Sequence, residues 1–431
     1  MRSWNLLYAT ILGIGSMCVL GETEGAETTA LYERATAAVN SALFESASLT
    51  AVQAFVLLGN FAQKLNHPSS GSVFLGIALR MAINLGLHCE ASGKTLSPFE
   101  QEQRRRVWWV FFCFDSGAQL TFGYPSTLPH GPGVDVLPIA NISDSSFTPT
   151  AFSRPPSTDL PTVYSAILYQ AYYAAFANRV TEHLTSRSSI SVQDTFRMTS
   201  ELQVLQSSLP QYFFSGTASL GWFDFPRHQM CWRLDALRLL ILRQLFLKVS
   251  LSPSTATKEE GEAWDMCVAC ACAGIKSVSG FVEAGPRSAM EWWYSLHFLF
   301  PSVFIPLIAL RIRPSSPSAI DWVVSIQSAK SVLERVPHAL LKSVALRGVM
   351  IIEALANLEV GGDGTVGAPP VPQTETDFSA FLEMLAGPSE LDGAAAGTST
   401  ALPAPGLLGF GDLDSLFQWF TPSGSPQPQP M

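Results

Sequence analysis

One segment constrains the fold more than any other: a strong helix start that runs straight into a helix with no polar face. In Ser97-Pro98-Phe99-Glu100, Ser97 is placed to cap and Pro98 suits the first helical position, where an N–H would have no acceptor. Glu100 stands three residues after the cap and completes a reciprocal capping box. Glu100 with Arg104, and Glu102 with Arg106, are i,i+4 pairs of the favourable order. Beyond Arg106 the run Val107, Trp108, Trp109, Val110, Phe111, Phe112 is apolar on every side. A helix apolar all round is buried, so it needs a shell of other elements. Asp115, further along, is in a poor place for a charge and is expected to have a partner.

The shell reads as more helix. Period-two alternation bounded by turns is scarce, whereas helical spacing recurs. Residues 28–44 and 49–64 read as an antiparallel pair. Residues 69–87 follow, with Phe74, Ile77, Ala78, Met81 and Leu85 on one stripe and Gly86 as a stop. Gly123-Tyr124-Pro125 breaks the helix begun at Ser97, and a Pro- and Ser-rich stretch to about Pro161 reads as an irregular loop. Helices resume over 162–184, 192–209, 229–249 and 258–282, around Trp292, and over 320–359. With 47% of 431 residues apolar and only 14% charged, many mutually buried helices are affordable. No internal repeat is found.

Two stretches imitate membrane-directed segments. Arg2 followed by the apolar run Leu6 to Leu20 resembles a secretory signal, but Gly13, Gly15 and Ser16 interrupt it, and a buried first helix is the preferred reading. Trp292 to Leu310 has the length and apolarity of a membrane span. His297, Pro301 and Pro306 interrupt it, and Arg311 and Arg313 close it, which favours two kinked, fully buried helical pieces.

Motifs for chemistry are weak. Cys267-Val-Ala-Cys270-Ala-Cys272 lacks the distant second ligand pair that a zinc site needs and reads as a helix core. The other cysteines, Cys18, Cys89, Cys113 and Cys231, are scattered, as free thiols in a reducing compartment are. Gly361-Gly-Asp-Gly-Thr365 matches a kinase phosphate-binding string, but Pro369, Pro370 and Pro372 forbid the helix that should follow, so it reads as linker. The seven histidines are isolated, and no nucleophile elbow or nucleotide loop is visible. The formal charge of −9 argues against a broad phosphate-binding surface. Arg104-Arg105-Arg106 reads as a solvated or salt-bridged helical face rather than an import signal.

From Gly361 to the end Gly, Ala, Pro, Ser and Thr dominate, the composition of a disordered tail. Two acidic-aromatic segments interrupt it. One carries Phe378, Phe381 and Leu382; the other carries Leu413, Leu416, Phe417, Trp419 and Phe420 beside Asp412 and Asp414. Acids interleaved with aromatics in such a setting are the composition of activation domains. The alternative is a C-terminal helix that docks on the body.

The order Leu75-Gly-Ile-Ala-Leu-Arg80-Met-Ala, Asn84-Leu-Gly86-Leu-His88, Leu96-Ser97-Pro-Phe-Glu100, Arg104-Arg105-Arg106-Val-Trp108-Trp109, Asp115 and Gly123-Tyr-Pro125 resembles the regulatory domain, or middle homology region, of fungal binuclear-zinc-cluster transcription factors. The resemblance covers roughly residues 5–355 and is strongest in the first third. Two departures stand out: the six-cysteine zinc module is absent, and Tyr124 stands where the family often has Arg. The first implies either a native truncation or upstream exons missing from the gene model.

The expectation is therefore an all-α body, 1–360, followed by an activation tail, 361–431. The resemblance implies a nuclear, non-enzymatic transcription regulator of metabolic or biosynthetic genes. It further implies no metal or cofactor in this chain, no direct DNA binding and no membrane, a transcriptional coactivator or mediator-type protein as partner of the tail, and a small-molecule effector. The rivals are a truncated protein that sequesters a partner and, behind it, a secreted or membrane protein.

Overall fold

The computed structural model describes residues 2–19, 25–45, 47–90, 96–123, 127–128, 133–186, 190–214 and 221–356. Among them are twelve α-helices, short 3-10 turns and no strand. The fold class is all-α, as the periodicity predicts. The chain divides into two compact units. The first comprises residues 1–183, 200–234 and 287–291, and the second residues 184–199, 235–286 and 292–431.

In the first unit α1 (Arg2–Cys18), α2 (Gly25–Ala37), α3 (Leu49–Lys64), α4 (Pro68–Asn84) and α5 (Pro98–Phe122) build one core. Ser48 caps α3, its hydroxyl accepting from the N–H of Ala51 at 3.2 Å. The turn from α3 to α4 passes through Asn66 in the left-handed region (φ 61°). There the N–H of His67 bonds the carbonyl of Ala62 at 2.9 Å and that of Asn66 the carbonyl of Gln63 at 3.2 Å. This is the six-to-one, five-to-two pattern that terminates helices. α3 and α4 then cross at close range. A Cβ on Gly59 would stand 2.9 Å from Cγ of Leu75 and 3.0 Å from the carbonyl oxygen of Gly71, so only glycine lets the two backbones approach. Phe55, Leu58, Leu75, Ala78, Trp108 and Phe111 fill the core between these helices.

The sequence reading needs several corrections here. The helix expected over 28–44 ends at Ala37, because Asn40 turns extended (φ −147°) and a separate 3-10 turn covers Ser41–Leu43. α1 is buried on one side only: Leu6, Leu7, Ala9, Thr10 and Met17 are inside, while Trp4, Tyr8 and Ile11 are exposed. The stretch to Pro161 is irregular but not loose. Ile139, Ala140, Asn141, Ile142 and Phe147 are buried. The Asn141 amide donates to the carbonyls of Thr158 and Leu160 at 2.6 and 2.9 Å, and its oxygen accepts from Thr162 and Ser165 at 2.7 and 2.6 Å.

The remaining helices are α6 (Ser165–Thr185), α7 (Val192–Ser207), α8 (Asp224–Leu251), α9 (Lys258–Glu283), α10 (Ala289–Ile312), α11 (Ala319–Glu334) and α12 (Ala339–Ala356). α8 starts five residues before the expected Gln229, because Pro226 is tolerated in a first turn, where its missing N–H costs nothing. The helix expected over 320–359 is two: the stretch Arg335–His338 containing Pro337 separates α11 from α12. Conversely, α10 is one helix rather than two pieces, with Pro301 and Pro306 inside it. α9 and α10 are each long and apolar enough to cross a membrane by length and composition, and 83% of the most apolar window of α10 is buried inside the protein.

In the second unit Thr257 and Glu260 form a capping box at the start of α9. Trp264 of α9 stacks on Phe246 at 5.6 Å, meets Trp322 edge-on at 5.9 Å, donates its indole N–H to Ser250 at 3.1 Å and lies under the Arg313 guanidinium at 4.0 Å. Cys267 is fully buried in the same helix. Burial pushes its thiol well up and that of Cys270 up to about 12, so both are protonated and poor metal ligands. Among the described residues no three His, Cys, Asp or Glu side chains gather as a metal site.

Candidate functional site

The motif residues of the first third converge where α4 ends and α5 begins. α4 is closed by Leu85 and by Gly86 in the left-handed region (φ 66°). The N–H of Leu87 bonds Ala82 at 2.9 Å and that of Gly86 bonds Ile83 at 2.8 Å, the same terminating pattern as after α3. Arg104 donates one terminal nitrogen to the carbonyls of Leu85 and Gly86, at 2.6 and 3.1 Å. A guanidinium at the carbonyl end of a helix satisfies orphan acceptors and complements its dipole.

The capping box at Ser97 is formed. Its hydroxyl accepts from the N–H of Glu100 at 3.2 Å, and the Glu100 carboxylate accepts from the N–H of Ser97 at 2.9 Å. The Ser97 hydroxyl also donates to that carboxylate at 2.9 Å, and the bonds from the Ser97 N–H and hydroxyl hold the Glu100 carboxyl below the usual range. Glu100 therefore turns back to the cap and does not pair with Arg104 as the spacing suggested.

Arg105 and Arg106 are not a solvated face. They are 8% and 6% exposed, and Glu102, one turn before them, is 0% exposed. Arg105 pairs bidentately with Glu90 from the loop after α4 and lies 3.5 Å from Glu102. Arg106 meets Glu102 at 3.3 Å and Asp144 at 3.1 Å. Arg154 reaches Glu102 at 3.4 Å, and the N–H of Ala140 donates to Glu102 at 2.8 Å. Hydrogen bonding to Arg105 holds the Glu90 carboxyl below its ordinary value and raises the Arg105 guanidinium. The Arg106 guanidinium also lies 3.6 Å above the Tyr164 ring, and the Tyr164 hydroxyl donates to Asp144 at 2.8 Å. Burial, followed by the Asp144 hydrogen bond, raises that phenol to about 12.

Arg104 thus holds the end of α4, while Arg105 and Arg106 clamp Glu90, Asp144 and Tyr164 onto α5. Trp109 helps: its indole N–H donates to the carbonyl of Leu137 at 2.9 Å. It is half-buried, against the expectation of full burial, because this face of α5 receives a thin strap of chain rather than a helix. Trp108, on the core side, is 1% exposed. His88 is half-buried with its ring 6.4 Å from that of Trp108, and its Nδ1 has no hydrogen-bond partner. Asp115 has the expected partners, Thr127 Oγ1 and the N–H of Leu128 at 3.4 Å, and burial raises its carboxyl despite them. Gly123 ends α5 in the left-handed region (φ 67°), its N–H bonded to Gln119 at 2.9 Å. Arg80 is apart from this cluster, exposed on α4. Pro125 and the tail residues Phe378, Phe381, Leu382, Leu413, Leu416, Phe417, Trp419 and Phe420 lie outside the described residues.

Sequence reasoning missed the acidic partners Glu90 and Asp144 and the aromatic partner Tyr164. Periodicity relates residues within a helix, and these three sit in irregular chain 15, 38 and 58 positions from their arginines. Elsewhere in this unit α6 and the end of α7 line an open trough of about 800 Å³, walled by Tyr169, Tyr172, Phe176, Arg179, Glu201 and Leu205.

The clamp has the chemistry of a structural joint: its guanidinium groups face carboxylates, with one terminal nitrogen of Arg106 buried and without a hydrogen-bond partner, and among the described residues no metal ligand set lies within it. Residues 5–131, which contain most of α1 and all of α2 to α5, match the family model of the fungal specific transcription factor domain. The match takes in less than a third of the chain. The chain is 22% identical over 317 residues to the lactose regulatory protein LAC9 of Kluyveromyces lactis, covering 72% of this chain and 34% of that protein. It is 41% identical over 88 residues to the aurofusarin cluster transcription factor aurR2 of Gibberella zeae (20% of this chain, 13% of that protein). It is 31% identical over 81 residues to the thiamine repressible genes regulatory protein thi1 of Schizosaccharomyces pombe (19% and 10%). The chain thus spans about a third or less of the length of these relatives, all of which are transcription regulators by name. No solved structure matches.

Proposed function

We propose that this chain is the regulatory and activating portion of a fungal zinc-cluster-type transcription regulator, acting in the nucleus on metabolic or biosynthetic genes. The observation that carries this reading is the family match over residues 5–131, which takes in α4 and the arginine-bearing helix α5. The names of the relatives, with lactose, thiamine and a pigment cluster among them, point to metabolic target genes. Residues 1–360 serve as the regulatory body. Residues 361–431 serve as the activating tail, through acidic-aromatic segments that enter a hydrophobic groove on a coactivator as a helix face. A net charge of −9 disfavours DNA contact by this chain alone, so target choice comes from elsewhere. The aromatic trough between α6 and α7 has a size suited to a small-molecule effector.

The test is a reporter assay in a fungal host. The full chain, fused to an unrelated DNA-binding domain, is expected to drive transcription. Removing residues 361–431 should abolish output, and Phe417→Ala with Phe420→Ala should remove more of it than Asp412→Asn, since aromatic anchors dominate such interfaces. A silent full-length fusion and a silent fusion of the tail alone, both expressed, would overturn the activating role.

A further inference from the structure

The sequence holds three serines with an arginine three positions before them: Ser157 after Arg154, Ser200 after Arg197 and Ser316 after Arg313. Arginine at that position is the charge that one broad class of protein kinases reads with acidic side chains in its substrate groove. Such a groove takes its substrate as an extended, accessible chain, and the structure separates the three serines on that ground. Ser200 lies inside α7, where the helix ladder holds its backbone. Ser316 is folded into a turn. Its N–H bonds the carbonyl of Arg313 at 3.0 Å, its carbonyl accepts from Ala319 at 3.0 Å, and its hydroxyl accepts from the N–H of Ser318 at 3.3 Å. Arg313 is itself engaged, 4.0 Å over the Trp264 ring and 3.5 Å from Asp265.

Ser157 differs. Residues 154–158 form neither helix nor turn, and Ser153, Arg154, Pro156 and Ser157 are exposed. Pro155 and Pro156 fix their own φ, and each turns the residue before it toward extended or polyproline geometry. The segment is anchored at its far end, where the N–H of Thr158 donates to the Asn141 carbonyl at 2.9 Å and the Asn141 amide donates to the Thr158 carbonyl at 2.6 Å. At its near end Arg154 reaches Oε2 of Glu102 at 3.4 Å, an oxygen that Arg105 approaches at 3.5 Å. The Arg154 side chain is 39% exposed, against 9% and 7% for Arg105 and Arg106, so of the three it leaves Glu102 at the least cost.

We propose that Ser157 is a phosphorylation site for an arginine-directed serine kinase, and that the phosphate draws Arg154 away from Glu102. In the transfer, Oγ of Ser157 attacks the γ-phosphorus of ATP. The new O–P bond replaces the bond to the bridging oxygen, ADP leaves, and the hydroxyl proton passes to the catalytic aspartate of the kinase. The product carries about −1.5 to −2 charge and three strong acceptor oxygens. In polyproline geometry residues three apart share a side, about 9 Å along the axis, which an extended arginine spans. A guanidinium–phosphate pair is charge-assisted and bidentate, whereas Arg154 shares its oxygen of Glu102 with Arg105. The modification therefore acts on the arginine clamp through its most exposed member.

The experiment treats the full chain with magnesium ATP and the catalytic subunit of cyclic-AMP-dependent protein kinase, which selects arginine before serine, and reads the sites by peptide mass spectrometry. Ser157 should be labelled at least about tenfold faster than Ser200 or Ser316, and Arg154→Ala should slow its labelling at least about tenfold. Circular dichroism of Arg154→Ala should match that of the unmodified chain, since the side chain is partly exposed. Phosphorus NMR then follows the second ionisation of the phosphate. A neighbouring guanidinium favours the dianion, so the midpoint should be lower with Arg154 present than in Arg154→Ala phosphorylated to completion. A folded chain in which Ser157 stays unlabelled would overturn the site, as would labelling at an unchanged rate in Arg154→Ala. Equal phosphate midpoints with and without Arg154 would overturn its transfer from Glu102.

Discussion

Glu102 and Arg106 face each other one turn apart on α5, Oε1 to Nε at 3.3 Å, with side chains only 1% and 7% exposed. Glu102 is the hub of the clamp, since Arg105, Arg154 and the N–H of Ala140 also converge on it. Removing it takes away the buried carboxylate that these guanidinium groups share, leaving Arg105 only Glu90 and Arg106 only Asp144. Glu102→Ala should therefore cost about 3–5 kcal/mol, whereas Arg154→Ala, on a partly exposed partner, should cost at most about 1 kcal/mol. Urea unfolding followed by circular dichroism measures both.

The capping boxes at the starts of α5 and α9 offer a milder test. Ser97→Ala and Thr257→Ala each remove a hydroxyl that accepts from a backbone N–H at 3.2 Å. Each should lower stability by about 0.5–2 kcal/mol. If Ser97→Ala leaves the unfolding midpoint unmoved, the cap does not hold α5.

Adjacent tryptophans should behave differently. Trp108 is 1% exposed in the core, so Trp108→Ala should cost about 3–5 kcal/mol. Trp109→Phe retains the ring packing on Phe112 and loses the bond to Leu137, at about 0.5–1.5 kcal/mol. Its sharper effect should be faster amide exchange around residue 137, readable by hydrogen–deuterium exchange.

Gly13 and Gly15 lie two residues apart in α1 and should respond with opposite sign. A Cβ on Gly13 would meet Cε1 of Phe61 at 2.3 Å, so Gly13→Ala should destabilise by about 1–3 kcal/mol. Gly15 faces open space in the single chain, and Gly15→Ala should stabilise by up to about 1 kcal/mol through helix propensity. Thermal midpoints at low protein concentration decide the signs.

Acidification should act through two carboxyls in opposite directions. Glu90 is held below its ordinary value of 4.5 by Arg105, so its contribution is present above that pH and fades as pH falls through the lowered value. Asp115 is raised above 3.8 by burial, so its charging costs stability that is recovered as pH falls toward 3.8. Glu90→Gln should consequently flatten the loss of stability below pH 4.5, and Asp115→Asn should steepen it. Chemical denaturation at stepped pH tests both, and a Glu90→Gln profile parallel to the unmodified protein would contradict the first.

The sequence by itself determined what depends on neighbours along the chain. Helical periodicity marked α3, α4 and α5, Ser97 and Glu100 announced a capping box, and Gly86 announced a stop. Each is a relation spanning a few residues of one helix, so local sterics and hydrogen bonding settle it. The order of motif residues from Arg80 to Gly123 likewise sufficed to suggest the transcription factor family. Only the tertiary structure decided which bonds the charged groups make. Glu100 has two possible partners within reach, and the cap takes it because the Ser97 N–H has no other acceptor. Arg104 is then free for the carbonyls ending α4. Arg105 and Arg106 find Glu90, Asp144 and Tyr164 in irregular chain, whose path follows no period. The same limit explains the prolines. Pro301 and Pro306 argued locally for a broken helix, yet α10 runs through both, while Pro337 does separate α11 from α12. A proline removes an N–H in either place; whether the helix continues depends on the packing around it, and that is a property of the folded unit.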